Sequence, residues 1–257
     1  MDVLANLMAY YNNGENEAFH YALREILVHY REFNASTIYD VAEFCSSSTA
    51  TISRLATQLG YKSYSDFKHN LFDAVHEYYY QNRILAGEER MGADELVDAY
   101  FDSMERTIRT VRQSIDRKML EEITEEMHNA SSVHFCSFYT QFSEIWLQIN
   151  LMMGEKPTVL NQRFHEQIRD INSIEPGALV FVIAPSDNSG MDALPLLDAA
   201  REHKARSVFI TNSTHSRYRD KADYFFAFDG SGTRLDMNGM EMLFDLLSLI
   251  YRRKYID

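Results

Sequence analysis

The chain has 257 residues, a length that allows one large domain or two ordinary ones. Hydrophobic residues make up 46% and charged residues 25%, which excludes an intrinsically disordered protein and indicates a globular one. The formal net charge of −13 excludes a protein that coats nucleic acid through bulk electrostatic attraction, although it leaves room for a local basic surface.

No apolar run approaches the roughly 18 residues that a membrane-spanning helix needs. The first residues, MDVLANLMAYYNNGENEAF, lack the basic start and long apolar stretch of a signal peptide. We therefore expect a cytoplasmic protein. The two cysteines, Cys45 and Cys136, lie in different halves of the chain without a partnering cysteine or histidine motif, which predicts two small buried side chains rather than a disulfide or a zinc site.

Residues 1–80 carry the pattern of a small all-helical domain. Two helical segments are predicted within residues 3–32, and the second of them runs from about Glu17 to Arg31. After Gly60, Ser63 can cap a further helix, whose apolar residues recur at helical spacing. These apolar residues are Tyr64, Phe67, Leu71 and Val75.

The stretch from Thr37 to Gly60 predicts two short helices joined by a tight serine turn. Thr37 and Ser48 are suitable N-caps, and Gly60 suits the position just after the second helix. Two short helices joined by about three residues match the helix-turn-helix pattern, which places its second helix in the major groove of DNA.

The basic residues of this half are unevenly distributed. Residues 1–80 hold five Lys or Arg against ten Asp or Glu, which is a net charge of −5. Three of the five, Arg54, Lys62 and Lys68, nevertheless lie on or just after the second helix of the motif. A local basic face of this kind suffices for a site-specific binder when a dimer doubles the phosphate contacts.

Residues 81–92 hold two glycines and mixed charge without sustained periodicity, so they are interpreted as a linker between two domains. A long helix is predicted from Ala93 to Ile115 and a shorter one from about Asp116 to Asn129.

The last third of the chain alternates short apolar runs with helical segments. The predicted strands are Ser132 to Cys136, Thr158 to Leu160, Ala178 to Ala184, Ser207 to Thr211 and Tyr224 to Phe228, and the intervening helices are Thr140 to Met153, Arg163 to Ile171 and Met191 to His203. This alternation predicts an α/β fold with a doubly wound parallel sheet over residues 93–257. The closing segment, Met240 to Tyr251, is predicted to be an amphipathic helix that either covers the sheet or forms a dimer interface.

The string CSSSTATISRLATQLGYKSYSDFKHNL, residues 45–71, resembles the N-terminal domain of the RpiR/MurR transcriptional regulators. The matching elements are Ile52-Ser53-Arg54, Leu59-Gly60-Tyr61 and Phe67-Lys68. Ser46 and Ser47 replace the turn glycine and the following apolar residue that are typical of the family. The resemblance implies a C-terminal SIS (sugar isomerase) domain, an α/β fold that binds phosphosugars, and this agrees with the strand pattern.

The outward face of the second helix and its neighbours provide the candidate DNA-binding residues, which are Ser48, Thr49, Thr51, Ser53, Arg54, Thr57, Gln58, Lys62 and Lys68. Arg54 suits bidentate contact with guanine or with a phosphate, and Gln58 suits adenine. The hydroxyls at the helix start suit a phosphate. The alternative is that the serine and threonine run is only a solvated surface turn.

Two loops of the SIS-like half provide the candidate ligand-binding residues, which are Ser137, Thr140, Ser186, Asn188 and Ser189. SIS domains resemble one another in a glycine-containing loop after the first strand and in a Ser-x-Ser-Gly-x-Thr loop after a later one, where small residues let backbone N–H groups approach the phosphate. Here the first loop, residues 136–140, has no glycine.

The second loop, residues 185–190, departs further from this pattern. The positions expected to be serine, serine, glycine and threonine fall on Pro185, Asp187, Asn188 and Gly190, whereas a small gap aligns Ser186, Ser189 and Gly190. In either alignment Asp187 adds a negative charge where a dianionic phosphate would lie. The loops therefore predict a sugar or sugar-phosphate site, or else a domain that only dimerises or reads another metabolite. Residues 211–213, after the next strand, are interpreted as ordinary loop residues, with lining of the same pocket as the alternative.

An isomerase would need a general base, and His165 and Glu166 are the candidates. A solvated helix start, with Glu166 near the positive end of the helix dipole, is the favoured interpretation of both residues. The histidines show no metal-ligand spacing and no dinucleotide fingerprint follows a strand, so we expect neither a metal nor another cofactor. The sequence therefore predicts a non-enzymatic regulator, a homodimer or homotetramer, whose binding to operator DNA is modulated by a sugar or sugar phosphate.

Overall fold

A computed structural model of the chain describes residues 3–13, 16–33, 35–81, 83–137, 142–161, 164–184 and 192–257. It divides the chain into two compact units, residues 2–82 and residues 83–257. No helix in the described part of the chain is both long and apolar enough to cross a bilayer.

The first unit is all-helical, as the sequence predicts. Its helices are α1 (Val3–Asn13), α2 (Glu17–Val28), α3 (Tyr30–Phe33), α4 (Ile38–Phe44), α5 (Thr49–Gln58) and α6 (Tyr64–Gln81). The single helix predicted from Glu17 to Arg31 is wrong in one detail, because the chain leaves helical geometry at His29 and begins a separate short helix, α3.

The predicted N-caps of α4, α5 and α6 are confirmed. Thr37 and Asp40 form a reciprocal capping box, in which the Asp40 carboxylate accepts from the Thr37 backbone N–H at 2.6 Å. The Thr37 hydroxyl also donates to this carboxylate, at 2.7 Å, and the two hydrogen bonds from Thr37 lower the pKa of Asp40. The Ser48 hydroxyl accepts from the backbone N–H of Thr51 at 3.1 Å, and the Ser63 hydroxyl accepts from that of Asp66.

One contiguous apolar core holds these helices together. Ile52, Leu55 and Ala56 on α5 are fully buried, and the predicted apolar residues Phe67 and Leu71 bring α6 onto the same core. Burying an aliphatic or aromatic side chain of this size contributes about 1.5–3 kcal/mol each. The core thereby fixes which side of α5 faces outward.

The turn between α4 and α5 contains a strained residue. Ser46 has φ +47°, in the left-handed region that disfavours residues with a Cβ atom. Gly60, after α5, has φ +93°, and glycine adopts this conformation without strain.

In its described residues the second unit contains a five-stranded sheet and six α-helices. The elements are α7 (Ala93–Ser114), α8 (Arg117–Asn129), β1 (Val133–Ser137), α9 (Phe142–Met153), β2 (Thr158–Asn161), α10 (Phe164–Ile171), β3 (Leu179–Ile183), α11 (Leu194–Glu202), β4 (Arg206–Thr211), β5 (Tyr224–Ala227) and α12 (Leu235–Tyr255), with short 3-10 turns at Glu88–Arg90 and Arg219–Lys221. All five predicted strands are confirmed within one residue at each end.

The sheet is parallel throughout, with the strand order β2-β1-β3-β4-β5. The chain steps from β1 outward to β2 and then crosses back to β3 on the other side of β1. The order therefore reverses between β1 and β3, and the crevice at the carboxyl ends of these two strands is the ligand position expected in an open α/β sheet. This confirms the predicted doubly wound fold.

Each face of the sheet is covered by its own apolar layer. Phe135 and Phe181 pack with residues of α7, α8, α9 and α12 on one face, and Cys136 and Val182 pack with residues of α10 and α11 on the other. β1 and β3 are buried along their whole lengths, which explains why both strands read as continuous apolar runs.

Helix α12 settles the two roles predicted for the closing segment. Met240, Leu243, Phe244, Leu247 and Tyr251 are fully buried against the sheet, so the helix covers it. The predicted span was too short, because α12 begins at Leu235 and ends at Tyr255.

Residues 83–92, which lie within the predicted linker, make contacts inside the second unit. The Glu88 carboxylate accepts from the backbone N–H groups of Ile84 and Leu85, both at 3.0 Å, and Leu85 is buried.

Both cysteines are free and buried, as predicted. Burial raises the pKa of Cys45 to about 11, and it also raises the pKa of Cys136. Neither thiol is therefore ionised or reactive near neutral pH.

We predict that Ser46→Gly stabilises the protein. Glycine removes the left-handed strain of about 1–2 kcal/mol but gives the unfolded chain more freedom, so the net gain in the free energy of unfolding should be about 0.5–1 kcal/mol. Urea denaturation followed by circular dichroism measures it. The matched control is Ser47→Gly, which has no positive φ to relieve and should lower stability; equal effects of the two variants would contradict the strain argument.

Candidate nucleic-acid interface and ligand site

The outward face of α5 holds most of the candidate DNA contacts. Ser53, Arg54, Thr57 and Gln58 are exposed, on the side opposite the buried core residues of this helix. The Arg54 Nε donates to the carbonyl of Ala50 at 3.3 Å, so the side chain lies along its own helix. The Thr57 hydroxyl also donates to its own helix, at the Ser53 carbonyl.

The hydroxyls at the start of α5 already have structural partners. Ser48 is exposed and caps the helix, and its hydroxyl lies 2.9 Å from that of Thr51. Thr49 and Thr51 are half-buried. A phosphate approaching this helix end would meet a set of hydroxyls that is already ordered beside the N-terminal N–H groups.

The two lysines that follow α5 differ in their surroundings. Lys62 is exposed, and its backbone N–H donates to the Asp66 carboxylate. The Lys68 ammonium donates to the Ser36 carbonyl at 2.8 Å, across 32 residues of chain. Lys68 therefore ties α6 to the segment that precedes α4, in addition to the phosphate contact predicted from the sequence.

The candidate ligand site lies at the carboxyl ends of the strands. Ser137 ends β1 and is buried, whereas Thr140, Ser186, Asn188 and Ser189 lie outside the described residues. Gln167 of α10 is almost fully buried, and its Nε2 donates to the carbonyls of Ser137 and Asn161, both at 2.8 Å. This one amide side chain thus bridges the carboxyl ends of β1 and β2.

A buried aspartate organises the neighbouring part of this edge. Asp236, in the first turn of α12, is 1% exposed and accepts from the Asn212 side chain at 2.6 Å. It also accepts from the Ser231 backbone N–H and hydroxyl and from the Gly232 N–H. Gly230 has no side chain, and this leaves room for the carboxylate. Asn212, which the sequence placed near the pocket, therefore serves as a donor to Asp236.

A second carboxylate occupies the N-terminus of α9. Glu241 of α12 accepts from the Phe142 backbone N–H at 3.0 Å and from the Ser143 hydroxyl at 2.7 Å. Its charge stabilises the positive end of the α9 helix dipole. Glu144, one residue further along α9, is fully buried.

The candidate isomerase residues and the buried His134 lie on α10 and β1. Glu166 is half-buried in the first turn of α10, and the side chain of His165 lies outside the described residues. His134 is buried and hydrogen bonded to Asp170 at 2.6 Å and to Ser132 at 2.8 Å, near the amino end of β1 and far along the strand from the loops. Among the described residues no three His, Cys, Asp or Glu side chains form a metal-binding group.

Comparison with known families gives a match over residues 15–77, to the helix-turn-helix domain of the rpiR family. Residues 15–77 form an rpiR-family helix-turn-helix domain. The resemblance that rests on Ile52-Ser53-Arg54 and Leu59-Gly60-Tyr61 is thereby confirmed. A comparison with curated proteins gives no match.

Several solved structures share the fold of this chain. The NanR protein of Vibrio vulnificus, complexed with ManNAc-6P, has a TM-score of 0.53 and 21% identity, and the match covers 97% of this chain and 92% of that one. The sugar isomerase domain of an RpiR transcription factor from Sphaerobacter thermophilus matches 60% of this chain and 90% of its own, with a TM-score of 0.51 and 16% identity. A phosphoheptose isomerase from Neisseria gonorrhoeae matches 62% and 99%, with a TM-score of 0.51 and 14% identity. The C-terminal half therefore has the SIS fold.

Sequence reasoning missed three residues at the carboxyl edge of the sheet. Glu241 meets α9 across about a hundred residues, and no local pattern indicates such a contact. Gln167 is a polar residue on an otherwise ordinary amphipathic helix. Asp236 alone had a local signal, because Thr233 stands three residues before it at the start of a helix, as in a capping box.

We predict that Asp236→Asn destabilises the second unit by about 2–4 kcal/mol, because the new amide group would face N–H donors and the charged hydrogen bonds would be lost. Trp146 is the only tryptophan and lies in this unit, so urea denaturation followed by its fluorescence measures the change. The control is Asp245→Asn on the same helix; Asp245 is exposed, so the change should stay within about 0.5 kcal/mol. Equal stability of the two variants would contradict a central role for Asp236.

Proposed function

We propose that the protein is a DNA-binding transcriptional regulator whose operator binding responds to a small sugar-type effector. The observation that carries this proposal is the rpiR-family helix-turn-helix domain, whose second helix presents Arg54, Gln58 and a row of hydroxyls outward. Such a regulator acts where the bacterial chromosome lies, in the cytoplasm. The SIS fold of the second half supports a ligand-sensing role.

The proposed contacts are of two kinds: contacts with phosphates that position the helix on the duplex, and contacts with base edges that recognise the sequence. Ser48, Thr49 and Thr51 at the helix start, with Lys62 and Lys68, hold phosphates and set the register of the helix on the duplex. Arg54 reads guanine through a bidentate pair, and Gln58 reads adenine. Ser53 and Thr57 lie between them on the exposed face of α5.

The proposed effector binds at the carboxyl ends of β1 and β3. Ser137 ends β1 at this edge, and its carbonyl accepts from the Gln167 side chain. Thr140, Ser186, Asn188 and Ser189, which lie outside the described residues, are proposed to contribute to the same site. Its effect is a shift of population between arrangements of two helix-turn-helix domains, which must match half-sites about one DNA turn apart. The SIS fold also occurs in a phosphoheptose isomerase, but the fold alone assigns no chemistry, and we propose that this chain is not an enzyme.

A homodimer is part of the proposal, and an apolar stripe on α9 supports it. Six residues at one-face spacing are 40–67% exposed: Phe142, Ile145, Trp146, Ile149, Met152 and Met153. Side chains of this size at such exposure leave roughly 700 Å² of apolar surface, close to the ~800 Å² per partner of a standard interface. We propose that a second copy of the chain covers this α9 stripe.

We predict that Arg54→Ala weakens binding to operator DNA by about 1–3 kcal/mol, or roughly 5- to 150-fold, and relaxes discrimination among sequences. Fluorescence anisotropy with a duplex from upstream of the protein's own gene measures this. The control is Arg253→Ala, which removes the same charge from an exposed position in the other unit. Failure of the wild type to bind at low salt, or unchanged specificity in Arg54→Ala, would contradict the proposal.

We predict that Ile149→Glu converts the dimer to a monomer, because a charge in the α9 stripe would be buried without a partner. Light scattering coupled to size-exclusion chromatography measures the mass. The control is Val28→Glu, since Val28 is 68% exposed on α2 and belongs to the first unit. An unchanged mass for Ile149→Glu would mean that another surface holds the copies together.

A further inference from the structure

Helix α7 carries a second exposed apolar stripe. Val97, Phe101 and Ile108 are 56%, 62% and 47% exposed, and the half-buried Met104 lies between them along the helix. These four residues, which we call the α7 stripe, follow one another at intervals of four, three and four residues. This is the heptad spacing with which two helices pack along a shared seam.

The α7 stripe lies on the same face of the sheet as the α9 stripe. Val111 holds α7 in the apolar core of that face, and the Asn238 side chain of α12 donates to the Met104 sulfur at 3.6 Å. α12 contacts both α7 and α9, and its own Leu249 is 64% exposed. Three helices of one layer therefore present apolar side chains outward.

The α7 stripe supplies area that the α9 stripe lacks. The α9 stripe offers roughly 700 Å², somewhat less than the ~800 Å² per partner of a standard interface. The exposed parts of Val97, Phe101 and Ile108 add roughly 300 Å². A second copy that covers both stripes therefore buries the area that a stable dimer needs.

The charges of α7 are segregated along the helix. Residues 93–105 hold five acids and no base, whereas residues 106–118 hold five bases and one acid. The helix dipole favours such charges only in the first and last turns, so it does not account for Asp102, Glu105 and Arg106 in the middle of α7. Two copies packed antiparallel bring each acidic half against the basic half of the partner, whereas parallel packing brings like charges together.

Resting on the homodimer of the proposed function, we propose that the partner's α7 packs antiparallel on the α7 stripe and extends the interface formed by α9. One two-fold axis crosses both helices and passes α7 near the charge boundary between Glu105 and Arg106. The surface is self-complementary, because each α7 offers its partner the same acidic and basic halves. The apolar stripes supply the buried area, and the charge pattern fixes the orientation of the partner.

Single engineered cysteines in the full-length protein report this orientation. Asp98, Glu105 and Arg112 are exposed, one heptad apart on the same side of α7. Both native thiols are buried, so each variant gains one reactive thiol. Glu105→Cys lies near the axis, and a short bismaleimide should link it to its copy.

Asp98→Cys is the matched control, because an antiparallel pair separates its two copies by about 20 Å along the helices. Neither Asp98→Cys nor Arg112→Cys should be linked alone, but the two variants should be linked to each other after they are mixed and have exchanged subunits. Denaturing gel electrophoresis measures the linked dimer.

Charge reversal tests the pattern itself. Asp98→Lys with Glu105→Lys makes α7 basic throughout, and Arg109→Glu with Arg112→Glu makes it acidic throughout. Each double variant should raise the dimer Kd by about tenfold or more, and a mixture of the two should restore dimerisation. The control, Glu202→Lys with Asp220→Lys, changes the same charge at exposed positions on α11 and its neighbouring turn, and should dimerise as wild type.

Three results would overturn the antiparallel α7 pair in a protein that light scattering shows to be dimeric. Equal linking of Glu105→Cys and Asp98→Cys would indicate parallel helices. No linking of any variant would mean that another partner, such as the first unit of the same chain, covers the α7 stripe. Failure of the mixed charge variants to dimerise would remove the charge argument. A monomeric wild type would instead contradict the proposed homodimer itself, so the two failures remain distinguishable.

Discussion

Burial of the parallel sheet on both faces is the constraint on which the second half of the molecule depends. β1 and β3 expose no side chain, so each face must carry a complete apolar layer of helices. Since all strands run in the same direction, their carboxyl ends gather at one edge. The strand order reverses between β1 and β3, where an open sheet is expected to bind its ligand, and Ser137 ends β1 at that edge with Gln167 bonded to its carbonyl.

Negative charge is used structurally in this molecule. The chain is strongly acidic, yet Asp236 and Glu241 serve as hydrogen-bond acceptors for loop and helix-start donors inside the second unit, and Asp40 does the same in the first. The exposed outer face of α5 carries no acid at all. A protein with a net charge of −13 can therefore present a helix to DNA without a carboxylate on the helix itself.

The sequence predicted the features that depend on near neighbours. Thr37, Ser48 and Ser63 cap their helices through bonds that span three residues, and the strands are apolar because they are buried, so both signals are local. The strand order and the Glu241 contact with α9 join distant parts of the chain and left no such signal. The sequence did not predict the left-handed conformation of Ser46, because glycine rather than serine usually adopts it. Of the candidate ligand residues, only Ser137 lies in the described part of the chain.

The two units differ in when their apolar cores can be completed during protein synthesis, because only the second unit needs α12. The first unit has its own core, complete once α6 has been made. One face of the sheet, by contrast, lacks Met240, Phe244 and Tyr251 until α12 follows every strand out of the ribosome. The first unit can therefore assemble while the second still has an uncovered apolar face. If the proposed function is correct, a chain interrupted before Leu235 keeps the helix-turn-helix domain without the unit proposed to control it.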